Sequence, residues 1–139
     1  MAKSIKVDRE YDAPVEAVWA ALTDKAALSE WLMPCNFEPI LGFEFEFRTK
    51  PSPGFDGIVS CKVLEIIDQE SLSFSWSGGS LKDTVVSFQL SPLPNSSTRL
   101  QFEHRGFEGL INKLIIRRIL ANGWKSKILT NYLPEYLAK

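Results

Sequence analysis

Histidine is almost missing from this chain: His104 stands alone among 139 residues. Cysteine is scarce too, with only Cys35 and Cys61, far apart and without metal-type spacing. One histidine and two scattered cysteines make no zinc set, and the thiols read as free groups in a reducing compartment. No glycine-rich phosphate loop is present, because Gly78-Gly79 lacks a following lysine and reads as a hairpin turn. The glycine-x-serine-x-glycine elbow of a serine hydrolase is absent. Glu44 and Glu46 share a strand face with Arg48, which marks them as solvated rather than as a catalytic pair. No catalytic constellation, metal or cofactor is therefore expected.

Long apolar runs are lacking as well. None approaches the ~20 residues of a membrane span, and Met1–Val7 has no apolar core of a secretory signal. A cytoplasmic protein without stable membrane insertion is expected. Net charge is −1, so nothing global attracts nucleic acid or an anionic membrane. Between Leu110 and Lys127, however, Lys113, Arg117, Arg118, Lys125 and Lys127 occur without an acid. This reads first as a solvated basic face, with binding to an anionic surface as the sharper alternative.

What the chain does have is apolar patterning. From Gly109 to Lys139 apolar residues recur every four positions: Ile111, Ile115 and Ile119 in one row, Leu129, Leu133 and Leu137 in another. A third row runs Ile116, Leu120, Trp124, Ile128, Tyr132, Tyr136. Such spacing predicts a long amphipathic helix with a wide apolar face. Gly123 inside it disfavours the helix by roughly 1 kcal/mol relative to alanine, which predicts a close approach by another element or a ligand. Pro134 predicts a kink or break near Tyr132–Pro134.

Upstream, Ser4–Tyr11 reads as a strand stopped by Asp12-Ala13-Pro14, with Asp12 as helix N-cap and Pro14 in the first turn. Two short helices follow, one from Val15 through Leu22 and one over Ala26–Leu32. A strand-rich middle comes next. Phe43, Phe45 and Phe47 alternate with Glu44, Glu46 and Arg48. Gly57–Ile67 is a long strand with a bulge expected between Val63 and Leu64. Leu72–Trp76, Thr84–Leu90 and Thr98–His104 complete an antiparallel meander. Most of these strands have one apolar face, which needs a cover, and the terminal helix is the available one. The length suits one domain over residues 1–139.

Alternation places Phe45, Phe47, Val59, Cys61, Phe74, Trp76, Val86, Phe88, Phe102 and His104 on the covered face. The helices add Trp19, Trp31, Leu120, Trp124 and Ile128. This aromatic set suits a flat or greasy ligand, or else simply fills a core. His104 would then hydrogen-bond a ligand carbonyl, act as acid or base, or be a satisfied structural residue.

Tyr11-Asp12-Ala13-Pro14-Val15-Glu16-Ala17-Val18-Trp19 resembles the opening of the SRPBCC superfamily, and specifically its Aha-type family, named for the activator of the heat-shock-protein-ninety ATPase. Leu22-Thr23-Asp24, Trp31, Gly57-Ile58-Val59, Leu64-Glu65-Ile66, Leu72–Trp76, His104-Arg105-Gly106-Phe107 and Gly123-Trp124 resemble that family in the same order. Leu41-Gly42 departs from the Gly-Gly that many members carry before the second hairpin. The resemblance implies an α+β helix-grip fold: a curved antiparallel sheet of six or seven strands wrapped around a long C-terminal helix, with two short helices after the first strand. It further implies an apolar cavity between sheet and helix for a lipid, sterol, polyketide or flavonoid-like molecule. A polyketide-cyclase-like enzyme using the same cavity is the alternative function, and a chaperone interaction follows from the family name alone.

Overall fold

A computed structural model describes residues 4–139. Met1–Lys3, the start of the stretch read for a secretory signal, lie outside the described residues. Six strands form one antiparallel sheet: β1 (Ile5–Tyr11), β2 (Glu44–Arg48), β3 (Ile58–Ile67), β4 (Ser71–Gly78), β5 (Leu81–Leu93) and β6 (Ser97–Arg105), in the order β1-β6-β5-β4-β3-β2. Two short helices, α1 (Val15–Thr23) and α2 (Lys25–Trp31), follow β1. A helix over residues 112–137 ends the chain. This is the helix-grip architecture.

Burial alternates along the strands as the apolar spacing requires. In β6, Thr98, Leu100, Phe102 and His104 are buried while their neighbours are half-buried or exposed. The bulge in β3 falls where the alternation slips, between Val63 and Glu65. On the outer face Arg99 forks onto Asp8 at 2.5 and 3.0 Å, and Ser73 and Ser87 share a hydrogen bond at 3.1 Å. The inner-face residues of all six strands join residues of all three helices in one apolar cluster.

The first helix begins differently from its expected start. Pro14 itself is the N-cap, and no side chain caps α1. Asp24 does that work for α2 instead, accepting from the Ala27 N–H at 2.9 Å. A carboxylate can reach an N-terminal N–H only from the residue that adopts the extended cap conformation, and Asp24 has it.

In the C-terminal helix three expectations change. No break occurs at Tyr132–Pro134: the backbone stays helical through Tyr132 (φ −67°, ψ −46°) and Leu133 (φ −68°, ψ −47°). Hydrogen bonds span five residues in Gly123–Tyr132, as in Leu133 N–H to Ile128 C=O, and the chain returns to ordinary α-helix at Leu133. Pro134 therefore stands in the first turn of that α-helical end, where proline is tolerated.

The wider turn also disrupts the rows of four. Buried positions step from Trp124 to Leu129 and then to Leu133, while Tyr132 is exposed. The Ile111, Ile115 and Ile119 row, expected within a buried face, is 50–62% exposed.

Gly123, finally, has no close neighbour: a Cβ built on it meets nothing within 4 Å. Its helical φ of −60° suits any residue. Gly123→Ala is therefore expected to stabilise the protein by about 0.5–1 kcal/mol, because alanine restricts the unfolded chain without strain. Urea denaturation of the two proteins checks this; a lower midpoint for the variant would show that the space beside the backbone is occupied.

Candidate functional site

The sheet's inner face is paved with rings. Phe37 meets Phe45 edge-on at 5.0 Å, and Phe45 meets Phe47 and Phe74, each at 5.4 Å. The chain of rings continues from Phe74 to Phe88 (6.2 Å), from Phe88 to Phe102 (5.2 Å) and from Phe102 to Trp124 (4.4 Å). Trp76 closes the circuit, 5.7 Å from Phe47 and 5.6 Å from Trp124. Apart from the slightly closer Phe102–Trp124 pair, these separations match the ~4.5–7 Å favoured by offset and edge-to-face aromatic pairs. Strand pairing sets the arrangement: Phe88 lies opposite both Leu72 on β4 and Phe102 on β6, and Phe45 lies opposite Cys61.

The predicted site residues fall into three groups. Phe45, Phe47, Val59, Cys61, Phe74, Trp76, Val86, Phe88, Phe102 and His104 from the strands and Trp124 from the helix are all buried, none more than 5% exposed. Leu120 and Ile128 are half-buried against the same cluster. Trp19 and Trp31 are buried but join no ring pair among the described residues. Trp31 instead donates its indole N–H to the Ala21 carbonyl at 2.8 Å, locking α2 to α1. Burial also pushes the Cys61 thiol well above its ordinary pKa, so it stays protonated.

His104 has both ring nitrogens engaged. Thr84 Oγ1 donates its one hydrogen to the Trp76 carbonyl at 2.6 Å. It must therefore accept from His104 Nε2–H, 2.9 Å away. Nδ1 is left to accept from the Trp124 indole N–H at 3.3 Å. The neutral Nε2–H tautomer satisfies all three groups, and a second proton on Nδ1 would face a donor. Burial accordingly pushes the His104 pKa down to about 3. Phe107 covers the other side at 4.8 Å, brought back by Gly106 at φ +96°, where a Cβ would stand 3.4 Å from Thr84 Cα.

Several partners escaped the sequence reading. Thr84 shares parity with Val86 and Phe88, so its inward direction was available, but its bond to a residue twenty positions away was not. Phe37 lies outside any strand, and no periodicity marks it.

The helix is held unevenly over this floor. Tyr11 donates to the Leu129 carbonyl at 2.7 Å, and Arg9 to Thr130 Oγ1 at 3.2 Å, tying its second half to β1. At its start, Asn112 bonds Ser80 in the β4–β5 turn twice, at 2.5 and 3.1 Å. From Trp124 onward Trp124, Leu129 and Leu133 are buried, while no residue of 110–122 is. Ile116, Leu120 and Ala121 are half-buried against the core. An open depression of about 550 Å³, bordered mostly by polar residues that include Lys6, Glu65, Gln101 and Arg105, lies on the outer face of the sheet. Among the described residues no group of three metal-ligating side chains occurs, and no helix is long and apolar enough to cross a membrane.

Comparison with known proteins extends this picture. A protein from Mesorhizobium loti, MLL2253, is 28% identical, with a TM-score of 0.75 over 97% of this chain and 93% of its own. Bacillus halodurans BH1534 superposes with a TM-score of 0.80 at 22% identity, covering 99% of both chains. An HSP90 activator from Plasmodium falciparum does so at 0.73 and 19% identity, over 92% of this chain and 91% of its own. At those lower identities the likeness is one of fold. No curated protein matches the sequence. The model of the Activator of Hsp90 ATPase homolog 1-like protein family matches residues 12–138, spanning α1, α2 and every strand after β1, and the chain belongs to that family, within the SRPBCC-type fold.

Proposed function

We propose that the protein binds a flat apolar small molecule between the ring-paved sheet and the first half of the C-terminal helix. One observation supports this above the others: the helix is seated deeply only from Trp124 onward. Before that point Ile116, Leu120 and Ala121 are only half-buried against the core that holds the aromatic side chains, and a Cβ built on Gly123 meets nothing within 4 Å. Ile116, Leu120 and Trp124 would contact the ligand from above, and Phe74, Trp76, Phe88 and Phe102 from below, with Ile128 at the seated end of the space. The floor rings touch one another here, so entry requires residues 112–122 to lift, with the Asn112–Ser80 pair as the latch. His104, engaged at both nitrogens, holds the floor together and is poorly placed for acid–base chemistry. That favours binding over the cyclase alternative. A chaperone-activating role attaches to the family's name, and no residue here singles it out.

Titration with a panel of flavonoids, sterols and fatty acids, followed by amide and indole NMR shifts, tests the proposal. Shifts should move at Leu120, Gly123 and the Trp124 indole. Asn112→Ala should tighten binding severalfold by raising the fraction of open molecules. A panel that moves none of these resonances overturns the reading.

A further inference from the structure

The outer side of the same helix half carries a second feature, which does not rest on ligand binding. Among the described residues, five of the ten exposed large apolar side chains fall within ten consecutive residues. These are Leu110 (71% exposed), Ile111 (59%), Leu114 (58%), Ile115 (50%) and Ile119 (62%). Their spacing of four places them along one side of the helix, facing water. Scattered apolar residues on a surface need no explanation, but a continuous stripe does.

Charge says what covers it. Lys113, Arg117, Arg118, Lys125 and Lys127 accompany the stripe, and no acid occurs between Glu108 and Glu135. Among the described residues none of the five cations is in a salt bridge. Elsewhere among the described residues Lys25, Arg48, Arg99, Arg105 and Lys139 are paired and Lys6, Arg9, Lys50, Lys62 and Lys82 are not, so what sets residues 110–127 apart is five cations on one segment with no acid among them. The partner is therefore apolar and anionic together.

A second copy of the chain fails this requirement, since pairing two stripes sets cations against cations with no acid to relieve them. Nucleic acid would leave the aliphatic residues without stacking partners. A peptide helix would need a groove, whereas this is one convex helix face. A bilayer rich in anionic lipid supplies phosphate at the level of the cations and acyl chain at the level of the stripe.

We infer that residues 110–127 form an interfacial docking surface for anionic lipid bilayers, with the helix lying in the membrane plane.

Co-sedimentation of the full chain with vesicles tests this. Phosphatidylcholine vesicles containing about one-third phosphatidylglycerol should retain the protein, pure phosphatidylcholine vesicles should not, and added salt should release it. The combined Lys113→Gln, Arg117→Gln and Arg118→Gln variant should bind roughly a hundredfold more weakly, at about fivefold per cation. Ile115→Ser with Ile119→Ser, which leaves charge intact, should weaken binding by roughly tenfold or more through lost apolar burial. These side chains are at most half-buried, so thermal midpoints should hold. Failure to sediment with the mixed vesicles overturns the inference. So does binding indifferent to the isoleucine pair, or a dimer in light scattering that the same pair dissolves.

Discussion

Trp124→Ala should cost about 3–5 kcal/mol in urea denaturation, the usual penalty for emptying a buried aromatic site. Trp124 is 1% exposed and stands 4.4 Å from Phe102 and 5.6 Å from Trp76. Its removal deprives both rings of a partner. It also strands His104 Nδ1, since the indole N–H is that atom's donor. An unsatisfied buried acceptor adds roughly 1–3 kcal/mol. Against a typical total of about 5–15 kcal/mol, the variant should sit near its unfolding midpoint under mild conditions. Trp124→Phe separates the two effects, because it keeps most of the ring and loses the donor; it should fall between the two proteins. A cost below about 1 kcal/mol for the alanine variant would mean that the helix is not pinned at this residue.

Acid should weaken the protein through His104, earlier than through its carboxylates. In the folded chain the ring stays neutral until the pH nears 3, whereas an unfolded histidine takes its proton near 6.5. Between these values the unfolded state binds the extra proton. Stability is then fully present above about pH 6.5, declines as the pH falls, and stops declining from this cause near pH 3. One proton sets a limiting slope of about 1.4 kcal/mol per pH unit. Most carboxylates titrate below about pH 5, so the interval from 6.5 to 5 belongs to the single histidine. Urea midpoints across that interval should slope in the native protein and lie flat in His104→Gln. Equal slopes in both would show that His104 is not the buried neutral group described here.

Much of the fold was legible because burial in a half-covered sheet has a period of two. Phe45 and Phe47, Phe74 and Trp76, Phe88, Phe102 and His104 alternate with polar neighbours, and each is buried. The slip of alternation at Val63 marked its bulge. Local capping chemistry was less legible, since Asp12 and Asp24 are equally suitable residue types. Only the backbone conformation before each helix decides which carboxylate reaches an N–H.

Residue types and their spacing by themselves determined the six strands, the meander from β2 to β6, the two short helices, the terminal helix and the inward aromatic set. These follow from local propensity and periodicity, which each segment carries alone. Tertiary structure decided the rest: that Trp124 and Thr84 fix the tautomer of His104, that the helix turn is wide over Gly123–Tyr132 so that Leu129 rather than Ile128 is buried, and that the Ile111–Ile119 row faces water. Each depends on groups distant in the chain meeting at one place. A helix with apolar residues on more than one side can bury only the side its sheet can reach, and the spacing of four is the same on both.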